Sequence, residues 1–180
     1  ESPVTQIKHS SRAPSKGEVL QFEERKGEAN FPDDQELLEL INSDDDEDEW
    51  LEFKQSFRKF YPHPSTGVPK KSRIMIEMAV KTVCGFLNSK GGLLIVGIQD
   101  KTRRVVGINK EGYTEEGTDK WSNEKAKRVF ADSIRPYIGA AASKFVSYKV
   151  YDIHDNKIMC VKVEKWPNTK QPIEVKISTK

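Results

Sequence analysis

The chain has 180 residues, of which 36% are hydrophobic and 32% are charged. These values are typical of one soluble domain with extensions. No apolar run approaches the roughly 20 residues that a membrane-spanning helix needs, so we expect no membrane contact from this segment. The two cysteines, Cys84 and Cys160, are too few for a disulfide framework or a zinc ribbon. Each sits in an apolar run, which predicts buried free thiols and a reducing compartment, the cytoplasm or the nucleus.

The net charge of +2 hides a strong asymmetry along the chain. Residues 18–52 carry two basic and fifteen acidic residues, whereas residues 53–180 carry twenty-five basic and twelve acidic ones, a net charge of +13. A basic body attracts a polyanion, because phosphates bind Lys and Arg and release counterions. The acidic segment has three interpretations that composition leaves open: a solvated surface, a decoy for the basic body, or a source of metal ligands.

The N-terminal part of the chain, which includes most of the acidic segment, differs in composition from the basic body. The sequence begins with Glu and shows no signal peptide, so we expect a piece of a longer protein. Residues 1–30 are polar and do not support a packed core on their own. Residues 31–43 (FPDDQELLELINS) predict a short amphipathic helix that begins near Asp33. Three regions are therefore predicted: an extension over 1–30, a helix with an acidic run over 31–49, and a folded domain over 50–180.

The folded domain opens with a predicted strand, a loop and a core helix. Residues 50–57 (WLEFKQSF) alternate with period two, as a strand does. Residues 61–71 contain three prolines and a glycine and predict a loop. Residues 72–90 place apolar side chains at helical spacing, and Gly91–Gly92 is expected to end this helix. The apolar run over 93–98 (LLIVGI) predicts a central strand buried on both faces.

The second half of the domain continues with strands around another helix. Residues 105–108 (VVGI) predict a strand, and residues 120–138 predict a second helix. Residues 144–153 and 157–166 alternate on either side of an HDN turn, which predicts an antiparallel hairpin. A further strand is predicted over 172–177. The predicted fold class is α+β, with a mixed sheet that carries two principal helices.

Several common sites are missing from the sequence. It contains no Walker A loop and no dinucleotide-binding fingerprint. His9, His63 and His154 lie in the tail, the proline-rich loop and the hairpin turn, without the spacing of a zinc motif, so we expect them at the surface. What remains is a set of carboxylates beside a basic body.

Glu52 and Asp100 are the carboxylates with the most informative positions. Glu52 lies inside the first strand, and Asp100 ends the central strand. Because one helix separates these strands, they could lie side by side with both carboxylates at one sheet edge. Such oxygen ligands suit Mg²⁺ or Mn²⁺, which activate water for phosphodiester cleavage. The alternatives are a turn-initiating role for Asp100 and a solvent-facing strand position for Glu52.

Four separated elements in order carry a resemblance to a known family. They are EFK in a strand, a helix ending in FLNSKGG, the run LLIVGIQDK, and VVGI. Over roughly residues 47–165 this order resembles the Schlafen AlbA-type domain. The resemblance implies a mixed sheet with helices, and two such lobes that pair into a U-shaped cradle for nucleic acid.

The resemblance also implies a set of functional residues. Active Schlafen ribonucleases use a Glu-Glu-Asp metal triad, and its positions fall here on Glu47, Glu52 and Asp100. These three residues are expected to be catalytic and to hold Mg²⁺ or Mn²⁺. The residues expected to bind the RNA backbone are all basic: Lys54, Lys70, Lys71, Arg73, Lys101, Arg103 and Arg104.

Two departures from the family leave two interpretations of function. The segment over 61–71 is longer than we expect for vertebrate members, and their Cys/His zinc site has no counterpart in this sequence. One interpretation is a metal-dependent endoribonuclease, or a subunit of one, that acts on small structured or precursor RNA. The other is a catalytically inactive RNA- or DNA-binding or structural subunit that pairs with an active lobe.

A partner is expected in both interpretations. The chain holds one lobe, so the second Schlafen-like lobe must come from elsewhere. A heteromer is expected more than a homodimer. Some Schlafen-like proteins work as assembled subunits, including a complex that processes piRNA precursors. The helix over 31–43 is expected to offer an apolar stripe that the body does not cover entirely, as interface helices do.

Overall fold

The described residues form a four-stranded mixed sheet and three α-helices, which confirms the predicted α+β class. The computed structural model describes residues 31–43, 49–60, 70–167 and 171–175. The predictions for residues 1–30, for the acidic residues 44–48 and for the loop residues 61–69 lie outside these ranges. The elements in chain order are α1 (Asp34–Asn42), β1 (Leu51–Lys54), β2 (Lys59–Phe60), β3 (Lys70–Lys71), α2 (Arg73–Asn88), β4 (Gly92–Val96), a 3-10 helix (Asn109–Glu111), α3 (Asn123–Ala142), a second 3-10 helix (Ser143–Phe145), β5 (Val146–Ile153) and β6 (Asn156–Val163).

The strand order in the main sheet is β1-β4-β6-β5. β1 and β4 are parallel neighbours, and helix α2 makes the crossover between them, as parallel strands require. The other two pairings are antiparallel, and β5 and β6 form the predicted hairpin. His154 and Asp155 in its turn both have positive φ angles, 46° and 62°, which a two-residue hairpin turn of the primed type uses. A separate two-stranded ribbon joins β2 to β3.

Each face of the sheet has its own core. The α2–α3 core contains Leu94 and Val96 of β4 together with buried residues of α2 and α3. The α1 core contains Leu51 and Phe53 of β1 and Ile95 of β4, packed with residues of α1. Residues 93–96 are all buried, which confirms the prediction of a central strand covered on both faces.

Helix α1 belongs to the fold, and its local sequence explains why it begins where it does. The Asp33 carboxylate accepts the backbone N–H groups of Gln35 and Glu36 at 2.9 Å each, and Glu36 Oε2 accepts the N–H of Asp33 at 2.8 Å, which completes a capping box. Leu37 and Ile41 are fully buried against the sheet. The sheet therefore covers these two residues of the apolar stripe, because α1 packs on the face that α2 and α3 leave open, whereas Leu38 and Leu40 are only partly buried.

Two predicted strands are absent from the described residues. In the segment 105–108 only Val105 makes a bridge, with Ile98, because Gly107 has a φ of 73° and turns the chain toward the 3-10 helix. In residues 171–175, Ile173 pairs with the side chain of Asn88 at the end of α2, through bonds of 2.8 and 2.9 Å, instead of joining a sheet edge.

Two element boundaries also differ from the predictions. The strand predicted over 50–57 ends at Lys54, because the chain bends on either side of Ser56, at Gln55 and at Phe57–Arg58. The loop predicted over 61–71 is shorter at its end, since Lys70 and Lys71 form β3. Helix α2 ends as predicted: Gly91, with a φ of 88°, donates its N–H to the carbonyl of Phe86 at 3.0 Å. Of the residues that the structure describes, none belongs to a helix long and apolar enough to cross a bilayer.

Replacing Leu37 with Ala tests the docking of α1 on the sheet. Loss of a fully buried leucine side chain should lower the free energy of unfolding by about 2–5 kcal/mol. Leu38→Ala is the matched control, because Leu38 is only partly buried and should cost less. Urea unfolding followed by circular dichroism measures both values. Equal, small effects of the two substitutions would show that α1 does not contribute to the fold.

The two thiols are buried and free, as predicted. Burial raises the pKa of Cys84 to about 11 and raises that of Cys160 further. Since the thiolate is the reactive form, labelling by a thiol reagent at pH 8 should be at least about a hundredfold slower in the folded chain than in urea. Rapid labelling of either cysteine without denaturant would contradict this burial.

Candidate nucleic-acid interface

Glu52 and Lys54 lie on the edge strand β1 and form an ion pair. They alternate with Leu51 and Phe53, so they leave the sheet on the side of the α2–α3 core. The register agrees, because Glu52 is opposite Leu94. Lys54 Nζ donates to Glu52 Oε1, and the two side chains are 13% and 28% exposed. Glu52 is thus a partly buried, paired carboxylate and not a freely solvated strand residue.

Asp100 lies in the turn that follows β4. The chain first crosses the end of β1, where the carbonyl of Lys54 accepts the N–H groups of Gly97 at 2.8 Å and Ile98 at 3.3 Å. Asp100 is exposed, and its carbonyl accepts the N–H of Arg103 at 3.2 Å. The two strands are therefore neighbours, as predicted. Asp100 also makes the backbone hydrogen bond expected if its role is to initiate a turn, which was the alternative interpretation.

The predicted metal triad depends on a residue outside the described ranges. Glu47 falls in the segment 44–48, for which the structure gives no description. Among the described residues, no group of three or more His, Cys, Asp or Glu side chains could hold a metal ion. Glu52 and Asp100 therefore do not assemble a metal site with the described residues alone, and the triad stays a prediction.

The basic residues predicted to bind RNA fall in three parts of the fold. Lys54 pairs with Glu52, as described above. Lys101 and Arg104 are exposed in the turn after β4, whereas Arg103 places its guanidinium 3.9 Å from the ring centre of the buried Phe53. The remaining three, Lys70, Lys71 and Arg73, lie in β3 and the first turn of α2.

Arg58 and Lys59 are basic residues that the sequence interpretation missed. The bend around Ser56 sets their position, since Ser56 Oγ accepts their N–H groups at 3.2 and 2.9 Å. The carbonyl of Arg58 accepts the N–H of Ser72 at 2.7 Å, and Lys59 lies directly opposite Lys71 in the ribbon. The available signal was the pair of basic residues in FRKF, directly after the strand predicted over 50–57.

A buried carboxylate holds this bend in place. Glu111 is 4% exposed and accepts hydrogen bonds from Ser56 Oγ and the Tyr113 hydroxyl, both at 2.6 Å. Burial, reinforced by the Glu111 charge, raises the pKa of the Tyr113 hydroxyl well above its usual range, so Tyr113 stays a donor. The Arg58 guanidinium lies 5.6 Å from the centre of the same Tyr113 ring. The hydrogen bonds of Ser56 and Tyr113 to Glu111 thus fix the part of the structure that positions Arg58.

Arg103 and Arg104 should respond differently to neutralisation. Arg103→Gln removes a cation from a buried ring and should lower the free energy of unfolding by about 0.5–2 kcal/mol. Arg104→Gln alters an exposed side chain, so stability should stay within about 0.5 kcal/mol, while the slope of log K against log salt for single-stranded RNA should flatten by about 0.7. Chemical denaturation and salt titrations measure the two effects. The reverse pattern would place Arg103 at the RNA surface.

Comparison with solved structures finds chains with low similarity to this one. The DIP2311 protein from Corynebacterium diphtheriae is 21% identical with a TM-score of 0.45, and the match covers 71% of this chain and 22% of that one. This chain therefore spans only about a fifth of the Corynebacterium protein. The N-terminal domain of a RecG-related protein from Nitrosomonas europaea is 17% identical with a TM-score of 0.49, over 79% of this chain and 80% of that one.

Comparison with protein families gives a match over most of the chain. A search of curated proteins gives no significant match. Residues 47–178, which include the ion pair of β1, the turn after β4 and the whole of the main sheet, match the family described as Schlafen, AlbA_2. The chain belongs to the Schlafen AlbA_2 family.

Proposed function

We propose that this chain is an RNA-binding module of a metal-dependent endoribonuclease and that it contributes carboxylates to the cleavage of small structured or precursor RNA. The observation that carries the proposal is the parallel pairing of β1 with β4. It brings the strand of Glu52 beside the strand that leads to Asp100, and both residues stand at positions that the resemblance assigns to the Schlafen triad. The net charge of +13 over residues 53–180 suits a phosphate-rich substrate.

Each residue has a distinct role in this proposal. Glu47, Glu52 and Asp100 would hold Mg²⁺ or Mn²⁺, which supplies water activation and offsets charge on the phosphodiester. Lys54 holds the Glu52 carboxylate at the sheet edge through its ion pair. Lys101 and Arg104, exposed beside Asp100, are suited to hold the RNA backbone. A second Schlafen-like lobe, as a separate subunit, would complete the cradle.

A binding role without catalysis is the second candidate. It is favoured by the ion pair itself, because the Glu52 carboxylate is already paired with the Lys54 ammonium. In this version the chain binds RNA or DNA, or has a structural role, and a partner lobe provides the chemistry. The two candidates share the basic surface and differ only in whether Glu52 is essential.

A cleavage assay on labelled RNA separates the candidates. The chain is assayed alone and with its partner, with and without Mg²⁺ or Mn²⁺. Glu52→Gln should abolish cleavage while changing the free energy of unfolding by no more than about 1 kcal/mol, since it removes a partly exposed ion pair. Glu164→Gln, at an exposed position after β6, is the matched control and should cleave normally.

Two results would overturn the catalytic proposal in different ways. Full activity of Glu52→Gln would place the chemistry on other residues of the assembly. RNA binding without cleavage under any of these conditions would support the binding role.

A further inference from the structure

A cleft of about 490 Å³ lies where the β2–β3 ribbon, the start of α2 and the middle of α3 meet. It is an open depression of the surface. One wall is basic and carries Arg58, Lys71 and Arg73; the other belongs to α3 and includes Val129 and Asp132. The proposed chemistry of Glu52 and Asp100 does not use this cleft.

The basic wall concentrates positive charge. Glu77 accepts a 2.7 Å hydrogen bond from Arg73 Nε and offsets that guanidinium, which is 56% exposed. Arg58 and Lys71 add two further cations to the same wall. An anion would be attracted to these two cations.

The position of Arg58 is fixed before any ligand arrives. Ser56 anchors its backbone, the Ser72 N–H holds its carbonyl, and its guanidinium lies over Tyr113, which is itself bonded to Glu111. A side chain held in this way loses less freedom on binding than a flexible surface arginine would. The basic wall is therefore preorganised.

The opposite wall has a different chemistry. Val129 of α3 is a partly buried apolar side chain, and the exposed Asp132 of α3 offers only acceptor atoms. Ile76 of α2 is a further partly buried apolar side chain that lines the cleft. A free phosphate ion gains nothing from such a wall and is repelled by its carboxylate. A ligand that joins a phosphate to an apolar body with hydroxyl or amine donors fits both walls.

We propose that this cleft binds one nucleotide of a single-stranded nucleic acid. The phosphate faces Arg58 and Lys71, and the sugar or base lies against Val129 with its donors toward Asp132. The inference rests on the proposed function, because it assumes that the chain binds RNA, but it does not depend on cleavage.

Salt titration of a short single-stranded RNA on the full chain tests the basic wall. Lys71→Gln should flatten the slope of log K against log salt by about 0.7, the value for one lost phosphate contact in a single strand. Arg58→Gln should do the same if its melting profile shows that it folds. Lys144→Gln is the matched control, since Lys144 is exposed beyond α3 and outside the cleft.

Nuclear magnetic resonance tests the nucleotide itself. Adenosine monophosphate should shift the amide signal of Ser72 and the methyl signals of Ile76 and Val129, while inorganic phosphate at the same concentration should leave Val129 unchanged. Shifts at Ser72 alone, equal for both probes, would mean a simple anion site and overturn the nucleotide assignment. Unshifted signals with both probes would overturn the site altogether.

The outcomes separate this inference from the proposed function. If the unaltered chain does not bind RNA, the proposed function fails, and the cleft inference fails with it. If it binds RNA and Lys71→Gln leaves the salt slope unchanged, only the cleft inference fails.

Discussion

The parallel register between β1 and β4 decides where Glu52, Lys54 and the turn that carries Asp100 lie. Phe53 opposite Ile95 enters the α1 core, which places Glu52 and Lys54 on the other face of the sheet. A slip of one residue would drive this ion pair into the apolar packing around Leu37 and move Phe53 to the partly exposed positions that the ion pair now holds. The same pairing brings the end of β1 against Gly97, so the turn that carries Asp100 starts beside Lys54. The burial of one aliphatic and one aromatic residue of β1 thus holds the two polar residues of this strand at the sheet edge.

The Glu111 carboxylate is a second constraint, and it acts over a long sequence distance. A buried charge is costly unless donors satisfy it, and here the hydroxyls of Ser56 and Tyr113 do so at 2.6 Å. Because Ser56 follows β1 and Glu111 ends a 3-10 helix, one small network joins two segments that are 55 residues apart. At the surface, this network fixes the bend in the chain that positions Arg58.

Local pattern was enough to predict the elements with strong periodicity. Helix α2, strand β4 and the β5–β6 hairpin are present where apolar spacing, a glycine pair and a short polar turn indicated them. The failures arise where a distant contact or a single backbone angle decides the outcome. Gly107 stops a strand that VVGI suggested, and Asn88 captures Ile173 from 85 residues away. For the candidate site, the neighbouring strands of Glu52 and Asp100 were predictable, whereas the roles of Arg58 and Glu111 depend on tertiary contacts that leave no local signature.

The two-stranded ribbon has a consequence for how this domain can diverge. Phe60 pairs with Lys70, so the two ends of the segment 61–69 lie side by side. The number of residues between those two points can then change without altering the path from β1 through α2 to β4. Closing a longer loop costs only about 0.6 kcal/mol for each doubling of its length. The ribbon therefore separates the length of this segment from the geometry of the sheet, so that Glu52 and Asp100 can keep their places when that length changes.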